Sequence, residues 1–517
     1  QRVFDGMLPK LSSEFSVSLL HGITGSGKTE VYLRCIAEVV KAGKQAIVMV
    51  PEIALTPQTV RRFTMRFPHV AVLHSGLTAS QRHRYWQQIS TGQAQVIVGA
   101  RSAVFAPTKS LGMIVVDEEH EASYKQDQQP RYQGRDVAIK RAQLESVPVL
   151  LGSATPSLEM WERCARASGE PSGSTYELFA LTRRARAQPL PAVEVVDMKT
   201  ANRERKGVHL LSPRLEAMLQ ATVAQGHQAI LLLNRRGYSN FVYCGSCGEA
   251  LKCDYCDTTM TFHRSAGAEH ERRAEHATHS GQLHCHYCLA VKPLPPSCPV
   301  CNKRLSLFGL GTQRVEEEIA RKFPKLRFAR VDSDSMHSSK DYEKTLEAFG
   351  RREFDLMLGT QMIAKGLDYP NVTLVGVISA DTALALPDFR ASERTFQLIT
   401  QVAGRAGRGD LPGRVIVQSF QPDQPAIVKA LAQDFPGFAS EELVSRREVG
   451  LPPYARMARI VLRDQEEAKL QHRIEQLAVQ AREAIAGLGE QSNQIRLTGP
   501  MPCSINRIAN YWRHQLL

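Results

Sequence analysis

Residues 22–29 read GITGSGKT, a glycine-rich segment that ends in lysine and threonine. In the pattern G-x-x-x-x-G-K-[ST], backbone N–H groups face phosphate oxygens, the lysine reaches the β- and γ-phosphates, and the hydroxyl ligates Mg²⁺. An apolar run precedes the segment and a helical run, TEVYLRCIAEVV, completes it. The predicted phosphate-binding residues are Gly22, Thr24, Gly25, Ser26, Gly27, Lys28 and Thr29. The alternative is a glycine-rich turn without a ligand.

An acidic cluster supplies the carboxylates that a nucleotide phosphate site needs. The sequence DEEH, at 117–120, stands directly after the apolar run GMIVV. A strand that ends in Asp117 can present this carboxylate to the metal ion beside Thr29. The next residue, Glu118, can then orient and deprotonate an attacking water molecule. We expect Lys28, Asp117 and Glu118 to be catalytic, and the alternative for DEEH is a solvated acidic turn.

Two arginines supply the positive charge that phosphoryl transfer requires. Arg405 and Arg408 lie in QVAGRAGRG, at 401–409, one helical turn apart, so both can share a face. A guanidinium that reaches across a cleft stabilises charge on the transferring phosphoryl group, as an arginine finger does. We therefore expect both arginines to be catalytic. The alternative is a solvated basic patch.

Eight of the eleven cysteines crowd into residues 244–301, as four C-x-x-C hooks. In a large chain without a signal peptide the thiols stay reduced, so clustered cysteines indicate metal ligands. Eight thiolates satisfy two tetrahedral Zn²⁺ sites, and metal binding would supply the folding energy of such a small module. Redox C-x-x-C motifs normally occur singly, near a βαβ unit. The predicted ligands are Cys244, Cys247, Cys253, Cys256, Cys285, Cys288, Cys298 and Cys301.

The way in which the four hooks pair stays open at this point, because three pairings are possible. Only five residues separate the first two hooks, which makes closing both onto one ion awkward. The loop between Cys256 and Cys285 contains five histidines. Their irregular spacing and the high polarity of the loop favour a solvated segment over a third metal site.

The elements that must position these residues are short apolar runs alternating with helical stretches. Six such runs, rich in Val, Ile and Leu, stand between residues 17 and 152, and five more stand between 229 and 420. Runs that are apolar on both faces predict buried parallel strands, so the fold class is α/β with two parallel-sheet domains. The predicted domains are a first at 1–200, a second at 201–243 and 304–435, a zinc-binding insertion at 244–303, and a C-terminal α+β domain at 436–517.

Two further segments complete this division. Residues 165–205 have little periodicity and are expected to form a connection with at most an edge strand. An amphipathic, helix-like stretch is expected at 466–487.

Composition limits the class of protein. The chain has 517 residues, of which 43% are hydrophobic and 23% charged, so wholesale disorder is excluded. No stretch reaches the ~18 apolar residues of a membrane helix, and no signal pattern opens the chain, so a cytoplasmic location is expected. Lys plus Arg exceed Asp plus Glu by 13, which favours a polyanionic partner such as nucleic acid. The first residue is Gln rather than Met, so we expect a fragment.

Further segments resemble the motifs of superfamily 2 helicases, in which ATP lies between two RecA-like domains. They are PEIALTPQ (51–58), GARSAVF (99–105), GSATPS (152–157) and GTQMIAKGLDYP (359–370). Together with DEEH, SYKQ, LNRRG, the paired C-x-x-C hooks and TQVAGRAGR, in this order, they resemble PriA-type primosomal helicases. The resemblance covers nearly the whole chain.

The resemblance implies an ATP-dependent 3′–5′ DNA helicase with ATP, Mg²⁺ and two Zn²⁺ as cofactors. Such proteins act at stalled replication forks, initiate primosome assembly and help to restart replication. The expected partners are forked DNA with single-stranded and duplex junctions, other primosome and replication-restart proteins, and single-stranded DNA-binding protein. The resemblance further implies a nested pairing of the first hook with the fourth and of the second with the third. We also expect a monomer.

The resemblance also implies roles for residues outside the phosphate site. Residues 152–155 would link hydrolysis to movement, and Thr360 and Gln361 lie in the motif that touches the DNA backbone. Tyr124 and Tyr132 correspond to a loop that senses single-stranded DNA, and aromatic rings can stack on bases of any sequence.

The chain departs from the family in three places. We expect the N-terminal DNA-binding domain to be missing and the C-terminal domain to be truncated, and Leu367 stands where the family often has His. The motor motifs leave two other functions open: a double-stranded nucleic-acid translocase or remodelling ATPase without strand separation, and a motor that acts on RNA. A non-catalytic adaptor is disfavoured, because the lysine, threonine, both carboxylates and both arginines are all present.

Overall fold

A computed structural model gives the fold of most of the chain. It describes residues 1–11, 15–52, 55–167, 175–185, 190–205, 209–233, 241–244, 247, 251–264, 281–285, 288–303, 305–308, 312–332, 335–336, 339–360, 363, 369–384, 388–407 and 411–517. These residues form two compact units. The first is Gln1–Asn234, Phe323–Leu384 and Arg390–Val449, and the second is Arg235–Lys322, Ala385–Phe389 and Gly450–Leu517.

The first unit begins with a seven-stranded parallel sheet of order β3-β4-β2-β5-β6-β1-β7. Its strands are β1 (Val17–Gly22), β2 (Gln45–Met49), β3 (Val70–Leu73), β4 (Val96–Gly99), β5 (Leu111–Asp117), β6 (Val149–Ser153) and β7 (Tyr176–Leu181). The helices of this domain are α1 (Arg2–Leu11), α2 (Lys28–Lys41), α3 (Pro57–Thr64), α4 (Ala79–Ser90), α5 (Gly134–Glu145) and α6 (Leu158–Ala167). All six predicted runs are confirmed as strands.

Alternation along the strands divides the core of this domain into two layers. Ile47 and Met49 of β2 pack in one hydrophobic cluster, which also holds residues of α5. Ala46 and Val48, which point to the opposite face, pack in a second cluster with residues of α2. Because successive strand residues face opposite sides, a run without polar residues must be covered by helices on both faces. This packing on both faces holds the sheet in position, together with the loops that follow the carboxyl ends of its strands.

The second domain of this unit is a six-stranded parallel sheet of order β15-β16-β9-β17-β18-β8. Its strands are β8 (Ala192–Asp197), β9 (Gln228–Leu233), β15 (Phe328–Val331), β16 (Leu356–Gly359), β17 (Val372–Ile378) and β18 (Arg414–Ser419). The accompanying helices are α7 (Met198–Arg205), α8 (Pro213–Ala224), α10 (Ser339–Gly350), α11 (Ala391–Ala403), α12 (Pro425–Leu431) and α13 (Phe435–Glu448). All five predicted runs are strands, which confirms the second parallel-sheet domain.

The expectation of at most one edge strand in residues 165–205 is wrong. Two strands form there: β7 is the edge of the first sheet, beside β1, and β8 is the edge of the second, beside β18. Most residues of both strands are only half-buried. Since edge strands face solvent more than central strands do, their sequences need no continuous apolar run, and periodicity alone misses them.

The second unit contains the cysteine-rich insertion and the C-terminal domain. Five antiparallel strands lie between β9 and β15 in the chain: β10 (Phe241–Cys244), β11 (Thr261–Arg264), β12 (Gly281–His284), β13 (Val291–Pro293) and β14 (Leu305–Phe308), followed by α9 (Thr312–Lys322). This position confirms an insertion into the second sheet domain.

The C-terminal domain packs one helix against a small antiparallel sheet of order β19-β21-β20. Its elements are β19 (Ile460–Asp464), α14 (Glu467–Ala486), β20 (Met501–Ile508) and β21 (Tyr511–Leu516). Ile474 and Ala478, one turn apart on α14, pack with Leu516, so the amphipathic helix is confirmed. Short 3₁₀ helices lie at Arg101–Phe105, Ala122–Tyr124, Ala380–Ala383 and Gly489–Gln494. Among the helices described, none combines the length and the apolar character that a membrane span requires.

Candidate nucleotide site and cysteine clusters

The glycine-rich segment forms a tight loop between β1 and α2. Gly25 and Gly27 have φ angles of 81° and 92°, in the left-handed region that side chains disfavour. A Cβ on Gly22 would lie 2.6 Å from Ser26 Oγ, so the loop also folds closely over the end of β1. Lys28 Nζ donates a hydrogen bond to the Gly22 carbonyl oxygen at 2.7 Å. The loop therefore points its lysine and the N-terminus of α2 at one space, where the helix dipole favours an anion.

The hydroxyl of Ser26 supports the interpretation of the loop as an anion-binding site. Its Oγ is buried and has no hydrogen-bond partner in the part of the chain that the structure describes. A buried hydroxyl without a partner costs free energy that a ligand atom can recover. Together with Lys28 and the loop amides, it forms a cradle suited to phosphate oxygens.

Asp117, the last residue of β5, lines the same cavity as Lys28 and accepts hydrogen bonds from two tyrosines. Tyr32 Oη donates to Asp117 Oδ1 at 3.0 Å, and Tyr124 Oη donates to the Asp117 carbonyl oxygen at 2.7 Å. Removal from water and repulsion by Glu118 raise the pKa of Asp117 to about 6, against the attraction of Lys28. Two adjacent carboxylates facing a lysine form the electrostatic setting of a divalent metal and phosphate site.

The third residue of the acidic cluster, Glu119, points away into the protein. Arg135 Nη1 donates to Glu119 Oε2 at 2.8 Å, and the Ser157 backbone N–H donates to Oε1 at 2.6 Å. Glu119 is fully buried, so a solvated acidic turn is excluded for this residue. Its carboxylate instead ties β5 to the start of α6.

The last residue of the cluster, His120, connects the two sheet domains. Gln401 Nε2 lies 2.7 Å from His120 Nε2, and Ser153 Oγ lies 2.7 Å from His120 Nδ1. An amide nitrogen can only donate, so Nε2 of the ring accepts and Nδ1–H donates to Ser153. Ser153 Oγ also accepts the Thr155 backbone N–H at 2.9 Å. A continuous chain of hydrogen bonds thus runs from α11, through DEEH, to the GSATPS segment.

The contact between His120 and Gln401 was not predicted from the sequence. The signal was present, because each residue stands in a motif already singled out. The two motifs are 281 positions apart, however, and pattern spacing cannot reveal which side chains meet over such a separation.

Arg405, which follows the end of α11, lines the same cavity as the glycine-rich loop. A Cβ on Gly404 would meet the Thr24 side chain at 2.5 Å, so only glycine permits the end of α11 to come this near. Arg405, Lys28, Asp117 and Glu118 line one cavity of about 310 Å³. The second predicted arginine, Arg408, lies outside the described residues. The cavity also includes the other predicted binding residues Thr24, Gly25, Ser26, Gly27 and Thr29. Gly22 is not among its lining residues but accepts the Lys28 hydrogen bond.

One further side of the cavity comes from α3 and the end of β2. Thr59, Arg62 and Phe63 of α3 line it, as do Val50 and Pro51. The apolar residues of this side, Val50, Pro51 and Phe63, provide a surface for the base and sugar of a nucleotide.

Polar contacts outside the cavity hold the two sheet domains together. Arg390 Nη2 lies 2.7 Å from Glu159 Oε1. Glu393 Oε1 accepts the Leu158 backbone N–H at 3.2 Å, and Glu393 Oε2 pairs with Arg446 at 2.8 Å. Since Glu393 and Arg446 are buried, losing one partner would leave an uncompensated charge. The closed arrangement of the cavity therefore depends on side chains that the sequence motifs do not contain.

The two tyrosines of the predicted DNA-sensing loop differ in their surroundings. Tyr124 is only 1% exposed, so its ring is not available to stack on a base, which corrects the expectation for this residue. Tyr132 contacts Phe105 edge to face, with 5.3 Å between ring centroids, and Arg101 lies 5.8 Å from its ring centre. Gln361 and Leu367 lie outside the described residues, whereas Thr360 follows β16 and is buried.

The eight cysteines of the insertion form two clusters. Cys244, Cys247, Cys298 and Cys301 form the first, and Cys253, Cys256, Cys285 and Cys288 form the second. The hooks are therefore grouped in the nested way that the resemblance implies. Most of the histidine-containing loop, at 265–280, lies outside the described residues.

The sulfur positions of both clusters fit tetrahedral zinc. Within each cluster the Sγ atoms lie within 4.8 Å of one another, and the closest pairs are 3.3 to 3.6 Å apart. Zinc–sulfur bonds of about 2.3 Å place the thiolates of a tetrahedron roughly 3.8 Å apart. All eight thiols are free of disulfides, and no ligand position is left over for a substrate. The clusters are thus suited to a structural rather than a catalytic metal.

Three family models match the chain. They are the DEAD/DEAH box helicase at residues 6–163, the helicase conserved C-terminal domain at 301–410, and the primosomal protein N C-terminal domain at 447–517. The first covers the glycine-rich loop and DEEH, and the second covers Arg405.

Replication restart proteins PriA of several bacteria are similar to this chain. The Bacillus subtilis (strain 168) protein is 46% identical over 98% of this chain and 59% of its own length. The Synechocystis protein is 42% identical over 96% and 58%, and the Treponema pallidum (strain Nichols) protein is 40% identical over 96% and 71%. The chain thus spans about three fifths of the length of the first two. A solved structure of RecG bound to a three-way DNA junction overlaps 87% of this chain and 49% of its own, with 16% identity and a TM-score of 0.47.

Proposed function

The chain belongs to the PriA family of replication restart proteins, and from this membership we propose that it is the motor of an ATP-dependent 3′–5′ DNA helicase. One observation carries the proposal: a single cavity brings Lys28 and the carboxylates of the first sheet domain together with Arg405 of the second. A nucleotide bound there contacts both domains at once. Hydrolysis can therefore change their contact, which is what a stepping motor needs.

Each residue of the cavity has a definite task in this proposal. Lys28 and the loop amides bind the β- and γ-phosphates, and Thr29 and Asp117 hold Mg²⁺, which neutralises charge on the phosphates when bound. Glu118 positions and deprotonates the attacking water. Arg405, with Arg408, stabilises charge on the transferring phosphoryl group. Burial and Glu118 raise the pKa of Asp117 to about 6, and a bound Mg²⁺ would favour its ionised form.

The hydrogen-bond chain Gln401–His120–Ser153 supplies a route from the nucleotide to the rest of the motor. Gln401 and Glu118 both line the cavity, and His120 lies beside them. When the second domain moves away, His120 loses the amide that fixes its tautomer. We expect the water-activating residues to be ordered only while the domains are together, so that hydrolysis is coupled to closure.

The proposed substrate is forked DNA with single-stranded and duplex junctions. The excess of 13 positive charges and the family suggest action at stalled forks, where primosome assembly begins. The proposed partners are other primosome and replication-restart proteins and single-stranded DNA-binding protein. The role requires a cytoplasmic location, and we propose a monomer. The fit of the two cysteine clusters supports two Zn²⁺ ions, which would stabilise the insertion.

ATP hydrolysis measured with and without forked DNA tests the motor. We expect strong stimulation by the fork, together with displacement of a labelled strand by the same preparation. Absence of ATP hydrolysis under both conditions would refute the nucleotide site.

A second candidate is a translocase that moves on duplex DNA without separating its strands, since the cavity would serve either activity. Displacement of a triplex-forming strand without unwinding of a fork would favour this alternative. Stimulation by RNA oligonucleotides equal to that by DNA would contradict the substrate class.

A further inference from the structure

The hairpin of the C-terminal domain has its tip against the second cysteine cluster, within the second unit. Strands β20 and β21 pair Ile508 with Tyr511, so Ala509 and Asn510 form a two-residue turn. Both turn residues have positive φ, 50° and 64°, as in the type I′ turn that suits tight hairpins. The backbone N–H groups of both turn residues donate hydrogen bonds to the neighbouring C-x-x-C hook.

Three backbone hydrogen bonds join this tip to the C-x-x-C hook of Cys253 and Cys256. The Ala509 N–H donates to Cys256 Sγ at 3.1 Å. The Asn510 N–H donates to the Tyr255 carbonyl oxygen at 2.7 Å, and the Asp257 N–H donates to the Arg507 carbonyl oxygen at 2.9 Å. The tip thus forms hydrogen bonds with the backbone of the hook on both sides of Cys256.

Side chains reinforce the same contact. Arg507 Nε lies 3.3 Å from Asp257 Oδ1, and Ile508 packs against the hydrophobic cluster that contains Cys253, Cys256 and Cys285. Cys256 itself is fully buried. The hairpin is therefore part of the wall that excludes water from this sulfur.

The donor to Cys256 differs from the other amide donors to cysteine sulfur. Tyr255 N–H donates to Cys253 Sγ and Val300 N–H donates to Cys298 Sγ, each at 3.4 Å and each from two residues further along the same hook. The Ala509 amide comes from 253 residues away. Four thiolates around a divalent ion leave an excess of negative charge, which N–H donors stabilise.

We propose that the tip of the C-terminal hairpin is an outer-shell element of the second cysteine cluster, and that the Ala509 amide holds Cys256 as a metal ligand. Retention of the metal at this cluster then depends on the C-terminal domain. By linkage, the metal must stabilise the docked hairpin by the same free energy with which the hairpin stabilises the metal. In the first cluster the described amide donors, Val300, Cys301 and Lys303, are all local, so we expect no such dependence there.

The test follows zinc release from the whole chain. Zinc content is measured first, and each ion is then released to a chromogenic chelator under thiol-blocking conditions. Ala509→Pro removes the N–H and cannot adopt positive φ, whereas Ala509→Gly keeps the N–H and suits the turn. Asp257→Ala weakens docking from the hook side without changing the hairpin. Val300→Pro removes the corresponding amide from the first cluster and identifies its release phase.

We expect two release phases in the unchanged chain. Ala509→Pro should accelerate one of them by about 10- to 100-fold, the range found for loss of an outer-shell partner, and leave the other unchanged. Ala509→Gly should match the unchanged chain, Asp257→Ala should accelerate the same phase by a smaller factor, and Val300→Pro should accelerate the other. Equal acceleration of both phases by Ala509→Pro, or no acceleration by either Ala509→Pro or Asp257→Ala, would overturn the proposal.

Hydrogen exchange of the hairpin checks the linkage from the other side. Removal of zinc should speed amide exchange in Met501–Ile508 and Tyr511–Leu516, and unchanged protection of these strands in the zinc-free chain would contradict the inference. The inference rests on the proposed zinc occupancy. A zinc content below two per chain refutes that occupancy directly, whereas two ions with release rates insensitive to the hairpin refute only the outer-shell role.

Discussion

The residues that line the nucleotide cavity belong to two domains, each built on a parallel sheet. The cysteine clusters, in contrast, lie among antiparallel strands of only three or four residues. The central strands β2, β4 and β6 of the first sheet are buried along their whole length. Burial of that apolar surface holds the phosphate-binding loop and the end of β5 in place whether or not a ligand is bound. The insertion, in contrast, packs a small hydrophobic cluster that includes its own thiols. We therefore expect a bound metal to be dispensable for folding around the cavity and to be required for folding of the insertion.

Removal of zinc should produce the largest effect, and it should act on the insertion and on the C-terminal hairpin docked to it rather than on the nucleotide cavity. Structural zinc in small modules contributes about 10 kcal/mol or more, so stripping the metal, or Cys247→Ser with Cys288→Ser, should unfold the insertion. The DNA-independent ATPase rate should stay within about 2-fold, because the cavity has its own core. Proteolysis, zinc content and ATPase rate are measured together. Cys35→Ala, outside both clusters, should leave zinc content unchanged, and loss of ATPase with an intact insertion would break the comparison.

Lys28→Ala should have the next largest effect, and it should act on chemistry rather than on folding. Loss of a charge aimed at the transferring phosphoryl group should lower kcat by about 1,000-fold. The melting temperature should hardly change, since Lys28 contributes one hydrogen bond to a carbonyl oxygen. Steady-state ATPase assays and thermal unfolding measure the two quantities. Lys41→Ala on the same helix, whose side chain is 71% exposed, is the matched control. A Lys28→Ala chain that still hydrolyses ATP on DNA would contradict the site.

Ser153→Ala tests whether the hydrogen-bond chain between the domains matters. Removing one buried partner costs about 1–2 kcal/mol, so we expect the DNA-stimulated kcat to fall about 10-fold while the KM for ATP stays nearly constant. Ser16→Ala is the control, because that buried hydroxyl has no hydrogen-bond partner among the residues described. An equal fall of the DNA-free and DNA-stimulated rates would show that Ser153 stabilises the fold without coupling the domains.

Asp117→Asn should have a small effect on stability, and the sign of that effect separates function from stability. The pKa of this carboxyl is raised to about 6 in the folded protein, so its ionised form destabilises the fold above that pH. Because Asn lacks the carboxylate, the variant should not hydrolyse ATP. Because Asn carries no charge, it should increase the free energy of unfolding at pH 8 by about 1–2 kcal/mol. The gain should shrink as the pH falls from 6 towards 4, where Asp117 itself becomes protonated.

Thermal unfolding of Asp117→Asn at pH 8 and pH 5 measures this difference. Asp197→Asn is a control of opposite sign, because hydrogen bonds from Thr200 and the Lys199 amide lower the pKa of Asp197. A destabilised Asp117→Asn chain at pH 8 would show that the carboxylate is needed for folding.

The same contrast explains what could be predicted from sequence. Buried strands such as Gln228–Leu233 were predictable because a short run that is apolar on both faces must be covered on both sides. The phosphate loop was predictable because its glycines adopt backbone angles that other residues disfavour. Both signals lie within a few consecutive residues. The edge strands β7 and β8 carry only part of such a signal, since solvent accepts polar residues on their exposed sides.

The contacts that could not be predicted join distant parts of the chain. Glu119 has the same residue type and setting as Glu118, yet it pairs with buried Arg135 rather than facing the cavity. The contacts of His120 with Gln401 and of Cys256 with Ala509 depend on how whole elements pack. No local spacing encodes them, so they become visible only in three dimensions.

The position of β8 at the edge of the second sheet has a consequence for protein synthesis. β8 pairs with β18, which the ribosome adds roughly 200 residues later, after the whole cysteine-rich insertion. At about 5–20 residues per second, the nascent strand waits roughly 10–40 s for its neighbour. During that interval its backbone N–H and C=O groups are open to other strands, so this edge is where chaperone protection of the newborn chain would count most.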